Sequence, residues 1–161
     1  MIIDDKVIQL TVHVRRSLEK LAREHGGGYW GSGLTGYCGI ASRFLINLAK
    51  RNGIYNMRLV CGFFNDRAFH EPSTHCWIEY NDFCIDLTIS QFSEFHNKAY
   101  RICLIDSDFY RLHYTPEMIG SIAVKYQKQW ENGQNYESCA NSLWRIHKKH
   151  YIKDYNGVFL R

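Results

Sequence analysis

The stretch THCWIEYNDFCIDLT, residues 74–88, has two short runs of β-branched and aromatic residues on either side of Asn81-Asp82. Such runs around a turn-forming pair are typical of a β-hairpin. His75 and Asp86 interrupt these strand-forming runs, where a buried polar side chain without a partner is costly. The hairpin therefore has to supply a partner for each of them.

A turn centred on Asn81-Asp82 fixes the pairing of the two strands and places Tyr80 opposite Phe83. Because side chains alternate along a strand, His75 and Asp86 then share one face as diagonal neighbours, within hydrogen-bonding reach. A shift of one residue would separate them onto opposite faces. The other face of the hairpin is almost wholly apolar, so we expect it to pack on the core, and this predicts the same register independently. Its residues are Cys76, Ile78, Phe83, Ile85 and Leu87.

Amphipathic segments precede the hairpin. Apolar residues recur at helical spacing over residues 7–24 and again from Cys38, and each segment is followed by glycine. Strands are predicted at residues 57–64, 74–80, 83–88 and 100–105, a helix start at Thr115-Pro116-Glu117, and a last helix over residues 136–151. This order predicts an α+β fold with an antiparallel sheet, formed by a single domain over residues 1–161.

Composition limits the protein class. No apolar stretch approaches the about 20 residues that span a bilayer, and the acidic N-terminal segment differs from a secretory signal, so we expect a cytoplasmic protein. The six cysteines form no Cys-x-x-Cys pair. The net charge of +4 arises after Tyr110, especially in residues 145–153. We interpret that segment as a solvated helix face and do not expect nucleic-acid binding.

The segment GSGLTG, residues 31–36, matches the dinucleotide-binding fingerprint. That fingerprint requires a strand before the loop and an acidic residue about 20 positions later. A helix is predicted before this loop, and Asn56 occupies the later position. We therefore expect no nucleotide cofactor, and interpret the glycines as allowing close backbone approach in front of the next helix.

Cys38 is predicted in the first turn of that helix, where unpaired N–H groups and the helix dipole favour thiolate over thiol. Together with His75 and Asp86 it would form a catalytic triad: Cys38 attacks a carbonyl, His75 carries the proton, and Asp86 orients the ring. This chemistry suits acyl transfer from an amide, thioester or ester. Zinc is not expected, because adjacent His75 and Cys76 project to opposite faces and the paired ligand spacing is absent.

Three segments, GYCGIASRFLINLAKRNGI, VCGFF and HCWIEYNDFCIDLT, resemble the core of the transglutaminase-like branch of the papain-like cysteine enzymes. The resemblance covers residues 36–91 and implies a papain-like fold in which a Cys at a helix start packs against an antiparallel sheet. It implies Cys38, His75 and Asp86 as the triad. The Cys-x-x-x-Ser and His-x-Trp-x-Glu patterns are also similar to the leader-peptidase domains of lasso-peptide maturation.

Members of this superfamily include peptidases, glutamine deamidases, transglutaminases, peptide N-glycanases and bacterial effector toxins. Many papain-like enzymes carry an oxyanion-binding Gln six residues before the Cys, where this chain has Ser32. The backbone N–H of Cys38 supplies one oxyanion donor, and the second is left open. Candidate oxyanion or cleft residues are Ser32, Trp30, Tyr37 and Trp77.

The first expectation for function is a cysteine-dependent amide hydrolase, either a peptidase or a glutamine deamidase, acting on a protein or peptide without metal or cofactor. A second is a transglutaminase or acyltransferase, including an effector toxin exported by a non-classical route. A third is a non-catalytic binding module that uses the basic C-terminal segment. The sequence leaves these alternatives, the substrate and the oligomeric state open.

Overall fold

Helix α1 (Asp5–Glu24) is the first element in a computed structural model that describes residues 2–24, 34, 36–68, 71–96, 98–116 and 140–147. The side chain of Asp4 accepts a hydrogen bond from the backbone N–H of Lys6 at 2.8 Å and so caps the helix. The helix therefore begins before the predicted residue 7. Its apolar stripe is completely buried, as predicted, and consists of Val7, Leu10, Val14, Leu18 and Leu21.

The remaining elements confirm the predicted order of helices followed by a sheet. They are α2 (Cys38–Arg51), β1 (Met57–Phe64), β2 (Ser73–Tyr80), β3 (Phe83–Asp86), the 3-10 turns Ile89–Gln91 and Ser93–Phe95, β4 (Arg101–Leu104), α3 (Asp108–His113) and β5 (Tyr114–Thr115). Residues 140–147 are also helical and are named α4. The rest of the predicted last helix lies outside the described residues. No helix of the described part of the chain is both long and apolar enough to cross a lipid bilayer.

The five strands form one antiparallel sheet in the order β4-β3-β2-β1-β5. Tyr80 pairs with Phe83 and Ile78 with Ile85, so the predicted hairpin register is confirmed. Asn81 has a φ of 53°, a left-handed conformation that asparagine tolerates better than most residues. The mixed α+β class is therefore present, with the hairpin at its centre.

One face of the sheet packs against α1 and α2. Ile78, Ile85 and Leu87 from the apolar face of the hairpin lie in one core cluster with both helices, as the alternation predicts. Leu143 and Ile146 place α4 in the same cluster. Burying this face fixes the register, because a one-residue slip would bring charged side chains into the core.

The opposite face of the sheet is also buried, against elements that were not predicted. Trp77 and Cys84 pack there with Tyr110 from α3 and Tyr114 from β5. Helix α3 is only six residues long, too short for a helical period to be distinguished from a strand pattern. Thr115, predicted to cap a helix, pairs with Phe63 of β1 and so belongs to β5. The helix predicted to follow it lies outside the described residues, because residues 117–139 are not described.

Candidate active site

Cys38 is the first residue of α2, as predicted. The chain enters the helix through Gly36, whose φ of 86° is readily adopted only by glycine. Tyr37 precedes the helix and makes no side-chain capping bond. The positive end of the helix dipole therefore acts on the Cys38 thiol.

The Cys38 sulfur is hydrogen-bonded to the side chains of both Cys76 and His75. The hydrogen bond donated by the Cys76 S–H lowers the pKa of Cys38, whereas burial raises that pKa. The hydrogen bond and the charge of His75 lower the pKa further, so that it lies well below the usual thiol value. Burial and the neighbouring Cys38 raise the pKa of Cys76, which keeps its proton. The geometry therefore favours a thiolate at Cys38.

His75 and Asp86 form the predicted diagonal pair. His75 Nε2 lies 2.8 Å from Asp86 Oδ2, and both side chains are 0 % exposed. Burial alone would lower the pKa of His75, but the charge and hydrogen bond of Asp86, with a smaller effect of Cys38, raise it to about 10. Asp86 thus stabilises an imidazolium, which is the role that an orienting carboxylate has in a triad.

Asp86 has further partners that sequence reasoning missed. Tyr114 donates its hydroxyl to Oδ2 at 2.9 Å, and the backbone N–H of Thr88 donates to Oδ1 at 3.0 Å. These bonds, with that of His75, satisfy both carboxylate oxygens in a buried position. Tyr114 belongs to β5, distant in sequence and outside every predicted element, so no local pattern could have assigned it.

Gln91 is the second residue that sequence reasoning missed. Its Nε2 lies 3.3 Å from His75 Nδ1 and donates to Thr88 Oγ1 at 3.2 Å. Because Nε2 of His75 faces Asp86, Nδ1 is the ring nitrogen left for Cys38. The Gln91 carboxamide therefore lies beside the nitrogen that would carry the proton in catalysis.

A buried arginine of α1 holds the segment that carries these residues. Arg15 donates to the carbonyl oxygen of Leu87 at 2.7 Å and to Ser90 Oγ at 2.9 Å. Its Nε also donates to Glu19 at 2.8 Å. The charged side chain is thus paired despite its burial, and it links α1 to the chain between Asp86 and Gln91.

The oxyanion and cleft candidates have different positions. Tyr37 is completely buried in the helix-side core, and Trp77 is completely buried on the opposite face of the sheet. The Trp77 ring lies 6.0 Å from that of His75, so it packs beside the pair without reaching the surface. Ser32 and Trp30 lie outside the described residues.

Within the described ranges, no group of at least three His, Cys, Asp or Glu side chains could hold a metal ion.

Five described cysteines are free thiols. Two of them, Cys84 and Cys103, face each other on β3 and β4 and are hydrogen-bonded. That hydrogen bond is the main cause of a lowered pKa at Cys103 and outweighs its burial.

Comparison of the chain with protein-family models, with curated proteins and with solved structures gives no match. The papain-like resemblance therefore stays an expectation. The chemistry of the site has to be argued from its own contacts.

Proposed function

We propose that this protein is a cysteine-dependent amide hydrolase with Cys38 as nucleophile, His75 as general acid and base, and Asp86 as the orienting carboxylate. One observation carries the proposal: a buried hydrogen-bonded chain runs from the Cys38 sulfur through His75 to Asp86. Thiol, imidazole and carboxylate thus follow one another in the order that acyl transfer would require of a nucleophile, a proton carrier and an orienting group.

In the proposed reaction the Cys38 thiolate attacks the carbonyl carbon of an amide. The backbone N–H groups at the start of α2 are suited to stabilise the resulting oxyanion. His75 then gives the Nδ1 proton to the leaving nitrogen as the C–N bond breaks, which leaves a Cys38 thioester. Water, deprotonated by His75, attacks the thioester and releases an acid.

Transfer to an amine proceeds through the same thioester, with the amine taking the place of water. The limited exposure of Cys38, 6 %, favours exclusion of water from the intermediate and keeps this alternative open. Both reactions depend on the same triad. They differ only in the second nucleophile.

The first experiment is alkylation with iodoacetamide at mildly acidic pH, with each cysteine followed by peptide mass spectrometry. Cys38 should be labelled preferentially, and His75→Ala should abolish that preference. Cys103 is partly exposed and also has a lowered pKa, so Cys103→Ser is the background in which Cys38 is best followed. Labelling of Cys38 that does not depend on His75 would contradict the proposal.

A second experiment distinguishes the reactions. The protein is incubated with a protein substrate and a primary amine, and Cys38→Ala is the control. Cleavage indicates a peptidase, conversion of glutamine to glutamate indicates a deamidase, and incorporation of the amine indicates a transferase. Salt-dependent nucleic-acid binding that survives Cys38→Ala, with no amide chemistry, would instead favour the binding module.

A further inference from the structure

Two cysteines lie directly opposite each other at one edge of the sheet. Cys84 of β3 pairs with Cys103 of β4, the outermost strand on that side among the described residues. Directly opposite residues of an antiparallel pair share a face, and their Cα atoms are about 4.5–5.5 Å apart. Disulfides join cysteines whose Cα atoms are about 4.4–6.8 Å apart. The register of the sheet therefore supplies the backbone separation that a disulfide needs.

The two thiols are also in contact. The Cys84 S–H donates a hydrogen bond to the sulfur of Cys103. A covalent bond brings two sulfurs closer together than this hydrogen bond does, so the two strands have to approach each other slightly. Among the described strands β4 pairs with β3 alone, so it can follow that movement without breaking another ladder.

The environments of the two cysteines differ. Cys84 is 0 % exposed, whereas Cys103 is partly exposed. The hydrogen bond from Cys84 lowers the pKa of Cys103 and outweighs its partial burial, and the charge of Arg101 lowers that pKa further. Burial raises the pKa of Cys84, which keeps its proton. An oxidant arriving from solvent therefore meets Cys103 as the reactive sulfur, with a protonated thiol directly behind it.

We propose that Cys103 and Cys84 form a site for reaction with hydroperoxides, in which Cys103 is oxidised first and Cys84 converts the product into a Cys84–Cys103 disulfide. The site uses neither Cys38 nor His75, so this inference goes beyond the proposed function and does not rest on it.

The reaction has two steps. The Cys103 thiolate attacks one oxygen of the hydroperoxide, the O–O bond breaks, and Cys103 becomes a sulfenic acid; the other oxygen takes up a proton and leaves as an alcohol or water. The Cys84 sulfur then attacks the sulfenic sulfur, the S–O bond breaks, and the Cys84 proton leaves with the hydroxide as water. The two sulfurs are oxidised to a disulfide, and the peroxide is reduced.

A second pair of cysteines provides an internal comparison. Cys61 and Cys76 are also directly opposite each other, on β1 and β2. The Cys76 S–H, however, donates to Cys38, and β2 is held between β1 and β3. We therefore expect oxidation to join Cys84 to Cys103 before it joins Cys61 to Cys76.

The test treats the full chain with hydrogen peroxide, blocks the remaining thiols and identifies linked peptides by mass spectrometry without reduction. In the wild type and in Cys38→Ser, the Cys84–Cys103 linkage should form at least about tenfold faster than a Cys61–Cys76 linkage. Dithiothreitol should remove it. Cys61→Ser, at another partly exposed cysteine, is the matched control and should leave the rate unchanged.

Variants of the pair identify the order of the two steps. Cys84→Ser should leave the Cys103 sulfenic acid without its thiol partner, so dimedone should label Cys103 at least about tenfold more than in the wild type. Cys103→Ser should abolish linkage at Cys84. Dimedone labelling of Cys103 that is the same in Cys84→Ser and in the wild type would contradict the role of Cys84.

Three results in the wild type would overturn the inference: irreversible oxidation of Cys103 without linkage to Cys84, linkage of Cys103 to a different cysteine, or faster linkage of Cys61 to Cys76. These results do not depend on the folding of any variant. Failure of the proposed function is read separately, from labelling of Cys38 that does not depend on His75.

Discussion

His75 and Tyr114 bind the same oxygen of Asp86, at 2.8 and 2.9 Å. His75 belongs to the central hairpin and Tyr114 to the short strand β5 at the far edge of the sheet. Burial and the charge of Asp86 raise the pKa of Tyr114, which remains a hydrogen-bond donor at any physiological pH. The carboxylate is therefore held on two sides, and the imidazole is oriented by a group that is itself fixed.

Tyr114→Phe should weaken this arrangement without removing the ring. Loss of the hydroxyl leaves Oδ2 with one donor fewer in a buried site, so the free energy of unfolding should fall by about 1–3 kcal/mol. Urea unfolding measures this change. Tyr55→Phe, at a residue that is 71 % exposed, is the matched control and should have a negligible effect. If Tyr114→Phe lowers the free energy of unfolding no more than Tyr55→Phe does, the Tyr114 hydroxyl does not stabilise the folded protein.

Asp86→Asn should raise the pH at which Cys38 becomes reactive. Asp86 raises the pKa of His75, and the imidazolium in turn lowers the pKa of Cys38. Without the carboxylate charge, alkylation of Cys38 at mildly acidic pH should slow by about tenfold or more. The measurement is the rate of labelling as a function of pH. Asp82→Asn, at the exposed hairpin turn, should reproduce the wild-type profile.

Cys38→Ser should reveal a pH dependence of stability that the wild type conceals. A histidine whose folded pKa is about 10 contributes stability that is complete below its unfolded pKa and is lost as pH rises toward 10. The unfolded value is about 6.5. In the wild type, Cys38 is a thiol in the unfolded chain below about pH 8.5, the ordinary thiol pKa, and loses its proton on folding. This released proton offsets the proton that His75 takes up on folding, so the two effects on the pH dependence of stability cancel.

Urea unfolding across this pH window measures the difference. The wild type should show little change up to about pH 8.5, while Cys38→Ser should lose stability from about pH 6.5 upward. Adding Asp86→Asn to Cys38→Ser should flatten the curve again, because Asp86 is the main group that raises the pKa of His75. Parallel curves for wild type and Cys38→Ser would contradict the thiolate and imidazolium pair.

Gly62→Ala should destabilise the sheet beside the site. Gly62 pairs with His75 across β1 and β2. A Cβ at this position would lie 2.0 Å from the Thr115 carbonyl oxygen and 2.8 Å from the Trp77 ring, so β5 would have to move. We expect a loss of about 1–3 kcal/mol in the free energy of unfolding.

Gly53→Ala provides the comparison for that variant. Gly53 has a φ of 81° but open space around its Cα, so alanine there meets backbone strain without a steric clash. Gly62→Ala should cost more than Gly53→Ala and should also slow Cys38 alkylation through displacement of Tyr114. A smaller cost at Gly62 than at Gly53 would contradict the close approach of β5.

Local sequence accounts for the hairpin and its partners. Alternation around Asn81-Asp82 specifies which residues share a face, and an apolar opposite face permits only one register, so His75 and Asp86 meet without any long-range information. The start of α2 is also specified by local sequence, because apolar residues at helical spacing begin at Cys38, after a glycine-rich segment.

The second layer of the site could not be predicted in this way. The residues of this layer lie in a two-residue strand (Tyr114), a 3-10 turn (Gln91) and the first helix (Arg15). In such segments no periodic pattern of the sequence indicates that a polar residue contacts Asp86 or His75. Their contacts exist because the chain returns to the second face of the sheet and because α1 lies against the segment that follows β3.

By itself, the sequence determined the α+β plan, the hairpin register and the pairing of His75 with Asp86, since these depend on side-chain alternation over a few residues. Only the tertiary structure decided that Cys38 contacts His75, that Tyr114 holds Asp86, and that a carboxamide lies beside Nδ1. Those contacts join residues far apart in the chain, and packing of both sheet faces brings them together.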